Sequence, residues 1–344
     1  MDLLWGMTVN GSNGRTAPRL SIVVPAAGEA AALEETLVSV LENRPADCEI
    51  IVVHGCDYAD PWSIGDEVRL VRAPRRATVV GCTNLGIATA TGRVIHVLAA
   101  GWRATDGWAD GPVDLIDAGR ADVVVPLAVA ADDRDRVVSA GIRVAAGGRR
   151  MSVAPTAVGA RAAAPELEAG FWSAHLLGEI GGGFATACGT DLADADAAAA
   201  VAAARGAVVL EPKSRVIVGP PRRRSGPFLA GMHAERLFWR SLAATPLLPA
   251  LALHAVEWLR HMAASAPLGT VPMLAGRLAA LVQLGSCVPR AMQLRGLRRR
   301  AGTAGKRLDS DRERTIRIDA PHERPAEPRR SEPGEPTVPL RRSA

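Results

Sequence analysis

Three aspartates, Asp191, Asp194 and Asp196, fall within six residues of one another ahead of an alanine-rich stretch. A carboxylate held beside a hydroxyl can take its proton, and a carboxylate at the start of a helix can equally cap the amides of the first turn. Arg75, Arg76 and Arg103 each carry the planar fork that matches phosphate oxygens, and each also suits a solvated surface. The five cysteines (Cys48, Cys56, Cys82, Cys188 and Cys287) are odd in number, scattered, and form no C-x-x-C pair. That spacing suggests neither a disulfide framework nor a zinc site, and it fits a reducing compartment.

The elements that must position these residues belong to a chain of 344 residues, long enough for one large or two small domains. Its 48% hydrophobic content is enough for a sizeable core, and with aromatics at 3% that core must be mostly Ala, Val, Leu and Ile. Residues 20–24 (LSIVV) are a continuous apolar run, as a strand buried on both faces of a parallel sheet requires, and Pro25 ends it. Leu33, Leu37, Val40 and Leu41 then recur at helical spacing up to a stop at Asn43 and Pro45. Further strands are predicted over 49–53, 68–71 and 93–98, with a helix over 78–91 closed by Gly92 at its C-cap. Residues 122–129 continue the sheet, 132–161 read as a hairpin excursion, 194–205 as a helix and 207–210 as a last strand. Strands alternating with helices at this tempo imply an α/β domain with a mostly parallel sheet and helices on both faces.

From residue 228 the pattern changes to helical apolar segments interrupted by Pro246, Pro249, Pro267, Pro272 and Pro289. Leu237 and Phe238 beside Arg236 and Arg240, and Trp258–Leu259 beside Arg260, suit a helix pair at a membrane interface over 228–297. A helical layer over the sheet, or a dimer interface, is the alternative. No window reaches the roughly 18–20 uninterrupted apolar residues of a bilayer span. The net charge is +5, with arginine clusters at 222–224, 298–300 and 341–342 that suit anionic lipid or nucleic acid as well as plain solvent. The organisation expected is a flexible leader over 1–18 without a signal-peptide pattern, a sheet domain over 19–222, a helical segment over 226–298 and a disordered tail over 301–344.

Residues 20–53 resemble the opening of family 2 glycosyltransferases, in which a strand ends in Pro, a polar turn carries Glu, and a helix leads to a second strand. Asn84–Leu85–Gly86–Ile87–Ala88 with Gly92 looks like the family's N-x-G-x-x-x-A-x-G helix, and residues 93–98 (RVIHVL) like the strand that carries its metal motif. The segment DDRDRVVSAGIRVAAGG resembles its central hairpin, Gly182–Gly183–Phe184 its G-G-F turn, and LADADAA at 192–198 its E-D-x-D-L motif. The shared order and spacing carry the resemblance. It implies a nucleotide-sugar-binding domain of the GT-A type, a Rossmann-type open sheet with the donor at a switch point beyond the strand ends, followed by a C-terminal helical segment. It also implies a divalent cation, Mg or Mn, neutralising the leaving diphosphate, and an aspartate that takes the acceptor proton.

Carried over residue by residue, the resemblance makes Asp194 the candidate base, with Asp191 and Asp196 as alternatives; the preceding Glu is replaced by Ala193. Candidate donor contacts are Pro25; Glu29, in the turn where it reaches a ribose or base; Arg75 and Arg76 for phosphate; and Asn84, which can also tie down the helix-to-strand connection. Asp57 or Asp60 would stand in for the nucleobase aspartate that His54–Gly55 replaces. The D-x-D falls at Ala99–Ala100–Gly101 and the family's metal-site His near Val218, so no side-chain ligand remains there and Arg103 is the candidate substitute cation. The expectation is therefore a transferase that works without a bound metal on a glycan or lipid-linked acceptor, cytoplasmic and peripheral at the inner face of the cytoplasmic membrane, with no nucleic-acid partner. The alternative is a degenerate glycosyltransferase-like binding or scaffold protein. Sugar-phosphate nucleotidyltransferases open similarly, but they need a glycine-rich, arginine-bearing loop where this chain continues E-A-A-A-L-E-E.

Overall fold

The computed structural model describes residues 17–28, 30–55, 58, 60, 63–154, 161–221, 225–242 and 247–305. Glu29, Asp57, the leader up to residue 16 and the tail from residue 306 lie outside the described residues.

The first apolar run becomes β1 (Leu20–Ala26), every residue of it buried. Pro25 lies inside this strand, and its carbonyl accepts from the Ala100 amide at 3.2 Å. Helix α1 (Ala30–Glu42) buries Leu33, Leu37 and Val40 on one stripe, the 3.6-residue periodicity read from the sequence. Strands β2 (Cys48–His54) and β3 (Arg69–Arg72), helix α2 (Val79–Thr89) and strand β4 (Val94–Leu98) follow. Thr78 caps α2 by accepting from the Gly81 amide. The C-cap of α2 is the extended Ala90, not Gly92; Gly92 instead lies against β1, its amide donating to Ser21 Oγ at 2.8 Å.

The next elements are β5 (Arg103–Ala104), α3 (Asp110–Asp117), β6 (Val123–Val129), β7 (Val137–Ser139), β8 (Ile142–Val144) and β9 (Arg150–Ser152). Then come β10 (Ala169–Ser173), α4 (Ala174–Glu179), α5 (Gly189–Ala204) and β11 (Val208–Ile217). The main sheet runs β3-β2-β1-β4-β10-β6-β11-β5, with β7 on β6, and β8 and β9 form a separate hairpin. Parallel pairing joins β3, β2, β1 and β4, and again β6 and β11. Strand β10 inserts antiparallel between β4 and β6. Sequence periodicity missed it because A-G-F-W-S is too short to show a period. Apolar cores fill both faces: Leu33, Leu37, Trp108 and Val113 lie on one, Trp172, Leu176, Phe184 and Val201 on the other. Each fully buried large aliphatic contributes about 1.5–3 kcal/mol.

Helices α6 (Pro227–Ser241), α7 (Leu247–Ser265), α8 (Thr270–Val282) and α9 (Val288–Gly305) complete the described chain. The last runs past the boundary of 298 expected for the helical segment and into the region read as tail. This unit is bolted to α5 by one buried carboxylate. Asp196 Oδ1 accepts from Arg240 Nε of α6 at 2.7 Å, and Asp196 Oδ2 from Arg290 Nη2 of α9 at 2.7 Å. Removing one partner of such a buried pair strands a charge and costs about 3–5 kcal/mol.

Candidate active site

At the C-terminal end of β4, Ala99, Ala100 and Gly101 form a turn whose amides are all spent. They donate to Glu168 O, to Pro25 O, and to Ala32 O and Thr36 Oγ1 respectively. Gly101 has φ +91°, and a Cβ there would lie 2.8 Å from Pro220 Cδ. The segment after β11 thus packs directly on the turn. None of these residues, nor Val218, offers a side-chain oxygen or imidazole, so the donor set does not fit a divalent ion. Among the described residues no group of three or more His, Cys, Asp or Glu is placed to hold one.

Arg75 and Arg76 occupy an exposed turn between β3 and α2, at the edge where the parallel strands end. Arg103 lies half-buried on β5, paired with Ile217 of β11. Asp60 accepts from the Ile64 and Gly65 amides at 3.0 and 3.3 Å and so organises its own loop. Asn84 ties two motifs together: its Oδ1 accepts from the Phe184 amide at 2.7 Å and its Nδ2 donates to the Phe184 carbonyl at 2.8 Å. Helix α2 and the G-G-F turn are thereby locked through one side chain.

The three aspartates part company. Helix α5 starts at Gly189, so Asp191 sits in its first turn while Asp194 and Asp196 lie further in. Asp194 is fully buried beneath the β8–β9 hairpin. Its carboxylate receives Arg150 Nε at 3.0 Å to both oxygens, Arg150 Nη2 at 2.8 Å and the Leu167 amide at 3.2 Å. The expectation of a helix that starts at Asp194 is therefore corrected: the helix starts five residues earlier, and Asp194 is paired with Arg150. Sequence reasoning missed Arg150, although it lies within the hairpin excursion read over 132–161, two residues past the segment that the resemblance picked out. Asp196 is the bolt for α6 and α9 described above.

Asp191 remains half-buried on the wall of a cavity of about 620 Å³ between the sheet domain and the helical unit. The Ser225 amide donates to its Oδ2 at 3.1 Å. The cavity walls are the β8–β9 turn (Gly147 to Arg150), the first turn of α5, His233 of α6, His254, Glu257, Arg260 and His261 of α7, and Arg277 of α8. Neither Arg75, Arg76 nor Arg103 lines it. Gly189, at φ +62°, is required there, because a Cβ would meet the His233 ring at 2.2 Å. Burial pushes the His233 pKa down, partly offset by the charge of Asp191, and burial with Arg277 and Arg260 nearby does the same to His261. His254 bridges the halves, with Nδ1 3.2 Å from Gly147 O and Nε2 3.1 Å from both oxygens of the buried Glu235.

Residues 21–158 match the family model described as glycosyl transferase family 2, a match that ends before the three aspartates. No curated protein matches the chain. Residues 1–349 of TarS from S. aureus, in complex with UDP-GlcNAc, superpose with a TM-score of 0.56 at 12% identity, covering 83% of this chain and 92% of that one. The UDP complex of the same fragment gives 0.53 at the same identity and coverage. The mannosyltransferase PcManGT from Pyrobaculum calidifontis, with GDP-Man and Mn2+, gives 0.46 at 19% identity over 86% of this chain and 89% of that one. The order of strands and helices, the inserted antiparallel β10 and the two comparisons agree: residues 21–158 match the model of glycosyl transferase family 2, and the chain has a GT-A-type fold like that of TarS.

Proposed function

We propose that this chain transfers a glycosyl group from a nucleotide-sugar to an acceptor hydroxyl, with Asp191 as the base. The observation that carries the reading is the separation of the three aspartates. Asp194 and Asp196 are buried and committed to arginines, whereas Asp191 faces the cavity from the first turn of α5. In the reaction, the acceptor oxygen bonds to the anomeric carbon, the bond from that carbon to the nucleotide diphosphate breaks, and the acceptor proton passes to the Asp191 carboxylate. The donor is taken to bind beyond β1 to β4, where an open sheet receives its ligands and where Arg75 and Arg76 can meet the diphosphate. Nucleotide-sugar binding at this fold is supported by the UDP-GlcNAc complex of TarS. The alanines at 99 and 100 favour a reaction in which arginine charge, with Arg103 the third candidate, replaces a metal at the leaving group.

The helical unit supports a peripheral membrane contact. Of the fifteen large apolar side chains exposed among the described residues, thirteen fall between Phe228 and Met292. Leu248, Leu268 and Val282 are 78%, 91% and 89% exposed. Soluble surfaces rarely gather so many. No single helix among the described residues is long and apolar enough to cross a bilayer. The following helix, α9, carries Arg290, Arg295 and the arginines at 298–300 without an acidic residue, which suits anionic headgroups.

Calorimetry with UDP-, GDP- and dTDP-sugars tests the reading. It expects one nucleotide class to bind with a Kd below about 1 mM, equivalent to about 4 kcal/mol. No binding by any of them would leave the binding or scaffold alternative in its place.

A further inference from the structure

The cavity that holds Asp191 has a second pole. Arg149 Nε and Arg260 Nε both reach the same carboxylate, Glu257, at 3.2 and 2.7 Å. Two guanidinium groups on one carboxylate leave a surplus positive charge at that wall. The other wall arginines are balanced from behind: Arg150 by Asp194, and Arg277 by Glu235 at 2.7 Å. Donors are also left over. Arg277 Nε and His233 Nδ1 are buried without a hydrogen-bond partner among the described residues, and both belong to residues that line this one cavity. Buried polar groups are nearly always satisfied, so two unmet nitrogens around a common space call for polar atoms within it. The cavity's volume suits a ligand of drug size.

Resting on the glycosyl-transfer reading, we infer that the acceptor carries a phosphate group, which Arg149 and Arg260 bind while its hydroxyl is presented to Asp191. The arginine pair supplies the fixed forks that recognise phosphate oxygens, and Arg277 and His233 supply further donors along the path towards α5. Such a phosphate can belong to a soluble phosphorylated alcohol or to a lipid whose chains lie on the apolar face of α7 and α8. Leu259, 66% exposed, directly precedes Arg260 in the sequence.

The test uses the full chain and calorimetry with glycerol 3-phosphate, glycerol, and vesicles of phosphatidylcholine with or without phosphatidic acid. The expected result is binding of glycerol 3-phosphate but not glycerol, or of vesicles only when phosphatidic acid is present. The first assigns a soluble phosphate, the second a lipid-borne one. Arg149→Gln with Arg260→Gln should weaken that binding at least about tenfold, while Arg136→Gln, on an exposed pair away from the cavity, should not. Both targets are partly exposed, so the double variant is expected to fold, and its unfolding curve checks this. If neither phosphate probe binds, or if the double variant binds as well as the parent, the inference is overturned. The nucleotide-sugar titration is read separately. Donor binding without phosphate binding removes only this inference, whereas phosphate binding without donor binding removes the transferase reading.

Discussion

The turn after β4 and the cavity beside α5 lie in one molecule and differ in charge. At Ala99–Ala100–Gly101 the side chains are small and apolar, the amides are spent and Pro220 packs on top. Around the cavity stand four arginines, three histidines and two carboxylates, several of them tied into buried pairs. One region offers no side-chain ligand atoms, while the other gathers dense, built electrostatics. The lesson is that small, apolar residues at one turn do not predict the chemistry of a cavity elsewhere in the same fold.

The sharpest way to break this comparison is at the buried pairs. Asp196→Ala strands Arg240 and Arg290, and we expect a loss of about 3–5 kcal/mol in denaturant unfolding, read as a lower midpoint. A loss below about 1 kcal/mol would show that the helical unit is held by its apolar contacts alone.

The sheet half makes a different prediction. His96 is fully buried in β4, stacked on Phe171 with ring centroids 3.9 Å apart, and burial lowers its pKa to about 3. Its folded pKa therefore lies below the unfolded value near 6.5, so the unfolded chain binds the extra proton as the pH drops. Stability should be complete above pH 6.5 and fall by up to about 1.4 kcal/mol per pH unit below it. Chemical denaturation between pH 7 and 5 measures this, and His96→Phe should remove that component of the slope.

A membrane test comes next in size. Replacing Leu248, Leu268 and Val282 together by Ser should reduce sedimentation with anionic vesicles about tenfold or more, since each buried side chain is worth roughly 1.5–3 kcal/mol. Unchanged sedimentation would assign the exposed face to another partner. The smallest effect is expected at the Ala99–Ala100–Gly101 turn: donor binding should be the same with EDTA or manganese. A tenfold gain with manganese, about 1.4 kcal/mol, would place a cation there after all.

Much of the fold was legible in the sequence because β1, β2, β4 and β6 are continuous apolar runs and α1 has a clean stripe. Strand β10 was hidden by its length. The start of α5 was hidden because Gly189 at positive φ and the Cys188 turn give no capping signature, and that shift decided how the aspartates were read. From spacing alone Asp194 looked like the helix start; in space it is buried under Arg150, a partner 44 residues away. The cavity itself was invisible, since it forms between a hairpin and helices that only tertiary packing brings together.

The central claim is that Asp191 takes the acceptor proton while Asp194 holds the hairpin. It is tested by measuring nucleotide release and unfolding for Asp191→Asn and Asp194→Asn in parallel. The account predicts that Asp191→Asn lowers turnover roughly 10²–10⁴-fold with donor affinity and stability unchanged, and that Asp194→Asn chiefly lowers stability. Turnover at the parent rate in Asp191→Asn, with the loss confined to folded Asp194→Asn, would contradict it.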